Sequence, residues 1–254
     1  MTSSNRFACP LAERLGPDRT MGGSPTMGSP HRGYPLTVLF TSLMLLLLAS
    51  PLFERTAFGA PIARVLFSLV AATGVAASAR TRLWFWISLL LVLPMLVVLW
   101  IAPVLGVRSV NAASLGMRFI VLMVICVAIL ARVLRDQVVT IETIAGAASA
   151  YLLFGVAWAC LFGVVEHLYP GSFVIPAAWG PTAETILESI APLIYFSFIT
   201  LTTVGYGDIL ATSPVAANLA VAEALIGQLY LAVLVARLVG LQIVQTDRRR
   251  HGDG

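Results

Sequence analysis

"TLTTVGYGDI" runs from Thr200 to Ile209, and its reading decides the fold. It is polar and glycine-rich, yet apolar segments flank it on both sides. The segment before it, "SIAPLIYFSFITLT" (Ser189–Thr202), is apolar but only 14 residues long. Fourteen helical residues reach about 20 Å, short of the ~30 Å hydrocarbon core of a bilayer. Such a helix can dip into a membrane, and the chain must then come back out, here through "TVGYGD". Non-helical backbone at membrane depth is tolerated only where protein buries it or where it lines a water-filled cavity. The stretch is therefore expected to be a re-entrant pore loop. Ser189 is placed to cap the short helix, and Pro192 falls in its first turn, where a missing N–H costs little.

The membrane premise comes from composition. Of the 254 residues, 59% are hydrophobic and 11% charged, against roughly 45–50% and about 25% in soluble domains. Six stretches are long and apolar enough to be read as spans, at about 35–52, 60–79, 83–104, 113–134, 143–167 and 213–244. Pro94 is expected to kink the third. The net charge of +4 comes with sixteen arginines and no lysine. A soluble protein of this charge would suggest nucleic acid. Here Arg6, Arg14, Arg19, Arg32, Arg80, Arg82, Arg132, Arg135 and Arg248–Arg250 fall on one side of alternating spans. The interval 168–202 holds no arginine. By the positive-inside rule both termini are cytoplasmic and that interval faces outward, as in a plasma-membrane protein.

The organisation expected is an all-α membrane protein with six transmembrane helices plus a re-entrant pore helix. Residues 1–34, rich in Ser, Gly, Pro and Arg, read as a disordered cytoplasmic tail. Residues 35–135 form a four-helix transmembrane domain. Residues 142–245 form a pore domain: outer helix 143–167, turret 168–188, pore helix 189–202, filter 203–207 and inner helix 213–244. Residues 246–254 are a short basic tail.

A dehydrated cation needs a shell of oxygens. A strand whose carbonyls all face one way supplies them at successive heights. Ordinary strands alternate their carbonyls, so unusual backbone angles are required, and Gly205 and Gly207 permit them without a Cβ penalty. Thr203 adds a hydroxyl at the inner end, while Val204 and Tyr206 are expected to point away and wedge the strand from behind. One chain offers one oxygen per level. With no internal repeat in view, a ring demands several chains, and a homotetramer on a fourfold axis is the economical answer.

Thr203-Val204-Gly205-Tyr206-Gly207, framed by outer helix, pore helix and inner helix, resembles the selectivity-filter signature of tetrameric pore-loop potassium channels. The longer string Thr202 to Asp208 resembles it too. The resemblance covers about residues 142–245. Over 35–135 only helix count and topology match the bacterial six-helix type. It implies that the backbone oxygens of Thr203, Val204, Gly205 and Tyr206, with the Thr203 hydroxyl, coordinate K⁺. It places Tyr195 and Phe196 where the family has an aromatic cuff, with Tyr195 in reach of Asp208. Ile199 stands where some members carry a glutamate paired to that aspartate, so that carboxyl pair cannot form. The resemblance also implies a hinge at Gly227 and a cavity face of Gln228, Leu231, Val235 and Val239, with Val235, Val239 or Ile243 forming an apolar gate. A packing glycine is the alternative at Gly227.

Charged groups inside spans ask for a role. Glu223 reads as a brace behind the filter, hydrogen-bonded to Ser197 or Thr200; a proton sensor is the alternative. Glu166, Glu184 and Glu188 read as an acidic mouth that concentrates cations. Arg118, Arg132 and Arg135 do not make a voltage sensor, because residues 119–131 carry no charge. Arg237 is expected to snorkel to the interface. No nucleophile–base pair, phosphate loop or metal cluster is visible, so neither an enzyme nor a cofactor is expected. The partners expected are copies of the chain and the lipid bilayer, with neither nucleic acid nor a small-molecule substrate. The competing readings are a poorly selective cation channel and a non-conducting membrane subunit or receptor that keeps the pore fold as a scaffold.

Overall fold

The computed structural model describes residues 35–53, 59–78, 82–105, 107–136, 139–176 and 190–252. Within them lie helices α1 (Pro35–Phe53), α2 (Gly59–Ser78), α3 (Arg82–Leu105), α4 (Arg108–Arg135), α5 (Ile141–Leu168), α6 (Ala191–Leu201) and α7 (Pro214–Gly252). Two short strands, β1 (Phe173–Val174) and β2 (Leu210–Ala211), pair antiparallel. Five helices are long and apolar enough to cross a membrane: those containing Pro61–Ser78, Arg82–Leu105, Ser109–Arg135, Ile141–Leu168 and Pro214–Ile243. The first expected span is a shorter apolar helix, counted over Pro35–Ala49. Residues 1–34 and 177–189, with the expected tail, most of the turret and Ser189, lie outside the described residues.

Local chemistry accounts for the helix boundaries. Thr140 and Thr143 form a reciprocal capping box that starts α5. Glu142, in the first turn of α5, accepts from Leu36 N at 3.3 Å, Thr37 N at 3.4 Å and Thr37 Oγ1 at 2.7 Å. One carboxylate thus serves the positive ends of two helices. α3 runs unbroken past Pro94 and Pro103. α6 starts at Ala191, two residues later than expected; Ile190 caps it without a side-chain bond, and Pro192 sits in the first turn. α7 continues to Gly252, so the stretch expected as a separate tail from 246 is helical through that residue. No proline follows Pro214 to stop it.

The core has two parts. The larger gathers Leu39 and Leu43 of α1, Val70 of α2, Met95 of α3, Leu122 and Ile129 of α4, and Leu153 of α5. The smaller joins the C-terminal half of α5 to α6 and the strands through Trp158, Phe162, Phe173, Leu193, Phe196 and Ile209. Phe162, Phe173 and Phe196 meet edge to face, with centroids 5.2–5.5 Å apart, a geometry favoured by the ring quadrupoles. α5 is therefore the spine on which the short helix and the loop after it are mounted.

Candidate functional site: the loop after the short helix

The last turn of α6 delivers the loop. Thr202 N donates to Phe198 O at 3.0 Å and Thr203 N to Thr200 O at 2.9 Å. Val204 N and Gly205 N both donate to Ile199 O, at 2.9 and 3.1 Å. Tyr151 of α5 donates its hydroxyl to Leu201 O at 3.2 Å. Each of the last four carbonyls of the helix thus has a donor within the chain. What the helix end still offers a cation is its dipole.

The two bonds to Ile199 fix the direction of the next carbonyls. No peptide among the described residues is cis, and in a trans peptide C=O points opposite to N–H. With the amides of Val204 and Gly205 both turned back to Ile199, the carbonyls of Thr203 and Val204 both project away from the helix end. Two successive carbonyls on one side is what an ordinary strand does not do. The backbone angles agree: φ is positive at Thr203 (58°), Gly205 (52°) and Gly207 (77°), and not at Val204 or Tyr206. Left-handed residues alternate with others along the loop. Glycine takes that conformation freely. Thr203 does so with a Cβ, at about 1–3 kcal/mol of strain held by its surroundings.

The outer end of the loop is anchored at several points. Tyr195 donates to Asp208 Oδ2 at 2.8 Å, as expected. The bond to this carboxylate pushes the phenol pKa up to about 12, so the tyrosine remains a donor at physiological pH. β2 pairs with β1, Thr212 N donates to Ser172 O at 2.8 Å, and Thr212 Oγ1 to Gly171 O at 2.8 Å. Phe196 faces α5 and β1 and is 6% exposed. It braces the helix on the side away from the loop, while Tyr195 attends to the loop itself.

Glu166 is not a mouth residue. It is buried, and its two oxygens accept Gly171 N at 2.9 Å and Phe173 N at 3.0 Å. The turn into β1 leaves two backbone donors needing an acceptor, and the carboxylate satisfies them. Glu184 and Glu188 lie outside the described residues.

Val204 and Tyr206, expected to wedge the loop from behind, are 52% and 74% exposed, and among the described residues no surface covers them. On the inner side, Gln228 of α7 donates to Thr203 Oγ1 at 3.3 Å. Leu231, Val235 and Val239 continue its face and are exposed. Gly227 points the other way and is pressed on the end of α6. A Cβ there would lie 2.5 Å from Leu201 Cδ1 and 2.8 Å from Leu201 O. Sequence reasoning left hinge and packing open at this position, and the close approach is a packing requirement.

Glu223 is fully buried and bonded to Ser197, one of the two partners expected for it. Ser197 Oγ also lies 2.7 Å from Gly155 O, a link from α6 to α5 that the sequence did not suggest. Arg237 is not a snorkelling residue. Its guanidinium donates to Val133 O at 2.7 Å, Leu134 O at 2.5 Å and Asp136 O at 3.0 Å, capping the C-terminus of α4. The carbonyls freed at a helix end lack intrahelical donors, and the guanidinium supplies them. Arg132 does the same for α2, donating to Ala77 O at 3.0 Å. Arg118 bonds Ser114 Oγ at 3.1 Å and lies 5.5 Å over the Phe67 ring. These arginines tie helices together, and among the described residues no cluster of His, Cys, Asp or Glu could hold a metal ion.

Residues 138–241, which contain α5, α6, the loop and most of α7, match a protein-family model described as ion channel. No curated protein and no solved structure matches the chain. The match supports an ion-channel function for an integral membrane protein, and it spans the segment built around the loop.

Proposed function

We propose that this protein is a potassium-selective channel that conducts K⁺ passively through a fourfold pore made by four copies of the chain. Six helices of each copy cross the plasma membrane, with α1 the shortest of them and both termini in the cytoplasm. The filter is Thr203–Gly207, and K⁺ is coordinated by the carbonyls of Thr203, Val204, Gly205 and Tyr206 with the Thr203 hydroxyl. No cofactor is needed. The observation that carries the reading is the pair of successive carbonyls, Thr203 and Val204, turned to one side by the shared acceptor Ile199 O. Stacked carbonyls can replace a K⁺ hydration shell, and they need neighbouring chains to close each ring. The exposure of Val204 and Tyr206 supports that assembly, because a single subunit leaves them uncovered.

The test is ion flux from liposomes holding the purified protein, K⁺ against Na⁺, beside Gly205→Ala. The wild type is expected to pass K⁺ strongly over Na⁺. The variant is expected to lose that preference, since its φ of 52° suits glycine. Equal passage of both ions by the wild type would make it a poorly selective cation channel. A folded tetramer that passes neither would make it a scaffold.

A further inference from the structure

Ser197 has one hydroxyl proton and two neighbours that both accept. One is Gly155 O on α5, at 2.7 Å. The other is Glu223 Oε1 on α7. A backbone carbonyl can only accept. Both bonds therefore hold together only if Ser197 gives its proton to Gly155 O and receives one from Glu223.

The surroundings point the same way. Glu223 is 0% exposed, and its Oε2 is buried with no hydrogen-bond partner. An ionised carboxylate would leave that oxygen without a donor in a membrane interior, a large desolvation cost. The elements packed on this part of α7 bring no cation to it. α6 contributes Ser197, and its one ionisable side chain, Tyr195, faces Asp208. α5 contributes Tyr151, within electrostatic reach, whose hydroxyl is given to Leu201 O. On α7 itself, Tyr230 donates to Ala147 O and Arg237 is held by α4. The C-terminal end of α6 is negative in its dipole, so a second negative charge beside that helix would be repelled.

We infer that Glu223 keeps its proton and donates it to Ser197, so that a neutral acid ties α7 to α6 and, through the Ser197 hydroxyl, to Gly155 of α5. Glu223 is thus a positioning residue. It never meets the ion, and it fixes the short helix from which the filter hangs. The chain α7–α6–α5 exists only in the protonated form. Loss of the proton breaks one of its two bonds and leaves a bare charge, so conduction falls as the proton is lost. The conduction arm rests on the channel reading above; the protonation does not.

The experiment is infrared difference spectroscopy of the full-length protein in lipid, wild type against Glu223→Gln, with pH-dependent K⁺ flux on the same samples. A carboxylic-acid C=O band is expected at neutral pH in the wild type and not in the variant. Ser197→Ala is expected to keep the band and shift it upward, because the acid has lost its acceptor. Flux of the wild type is expected to fall with the band as pH rises. Glu223→Gln, whose carboxamide can donate in the same place, is expected to conduct without that fall. Absence of a Glu223-dependent acid band at neutral pH would overturn the inference, as would an unchanged alkaline fall in Glu223→Gln. A protein with the band and no flux would keep the protonated tie and count against the channel reading alone.

Discussion

Gly227 is the residue at which a single methyl group is most informative. Its missing side chain lets α7 lie against the carbonyl end of α6, and the nearest obstacle to a Cβ includes backbone. Gly227→Ala is expected to destabilise the protein by about 1–3 kcal/mol, read as a lower thermal midpoint of the purified assembly. Gly240→Ala is the control, since nothing lies within 4 Å of its Cβ; no loss of stability is expected there. On the channel reading, Tyr195→Phe removes the donor to Asp208 and is expected to shorten the time for which the proposed filter stays conducting, measured as decay of K⁺ flux. The sign of its pH dependence follows from the raised phenol pKa. The bond is intact below the ordinary tyrosine value of 10.0 and is lost as pH climbs through about 12. Ordinary pH changes thus leave it in place.

At the scale of elements, hydrogen bonds tie two of the first four helices to the segment matched by the ion-channel family model. Glu142 of α5 caps α1, and Arg237 of α7 caps α4. Arg237 makes three bonds to carbonyls at the end of α4, each worth about 1.5–3 kcal/mol when the donor is charged and desolvated, and less where water reaches it. Arg237→Gln keeps a donor but loses the charge and the fork. It is expected to loosen the contact between α4 and α7, read as faster hydrogen exchange in the last turn of α4. No change in exchange there would show that the packing of α4 on α5 suffices to hold that end. Arg132 and Arg135 had the look of topology markers in the sequence. Arg132 also has a local role, donating to a carbonyl at the end of α2.

For the whole molecule, the uncovered parts matter most. Val204, Tyr206, Leu225, Leu229, Val235 and Val239 are large apolar groups exposed on the loop and α7. Lipid can cover some of these; on the fourfold proposal, neighbouring copies cover Val204 and Tyr206 of the polar loop. The purified protein is expected to be a tetramer by native mass spectrometry. A cysteine pair placed at Tyr206 and on the neighbouring surface is expected to crosslink between copies and not within one. A monomer that conducts K⁺ would overturn the fourfold proposal.

The composition of this chain was enough to point to a membrane, and the length of Ser189–Thr202 was enough to mark that segment as too short to span one. Both follow from the thickness of a bilayer and the rise of a helix, which depend on no partner residue. The bond of Ser197 to Glu223 was legible because a buried acid beside the short helix must find a polar partner on it, and that of Tyr195 to Asp208 was implied by the family resemblance. Other roles were closed to sequence reasoning. Glu166 was read as a mouth charge because Pro170-Gly171 announces a turn but not that its amides point back to the end of α5. Arg237 was read as snorkelling because its acceptors lie about a hundred residues earlier, at the end of α4. Whether Gly227 packs or bends depends on which atom lies opposite, and Leu201 O comes there only through the tertiary fold. Hydrophobic pattern and segment length are properties of the chain itself. The partner of a buried polar group, or of a missing side chain, is a property of the packed molecule.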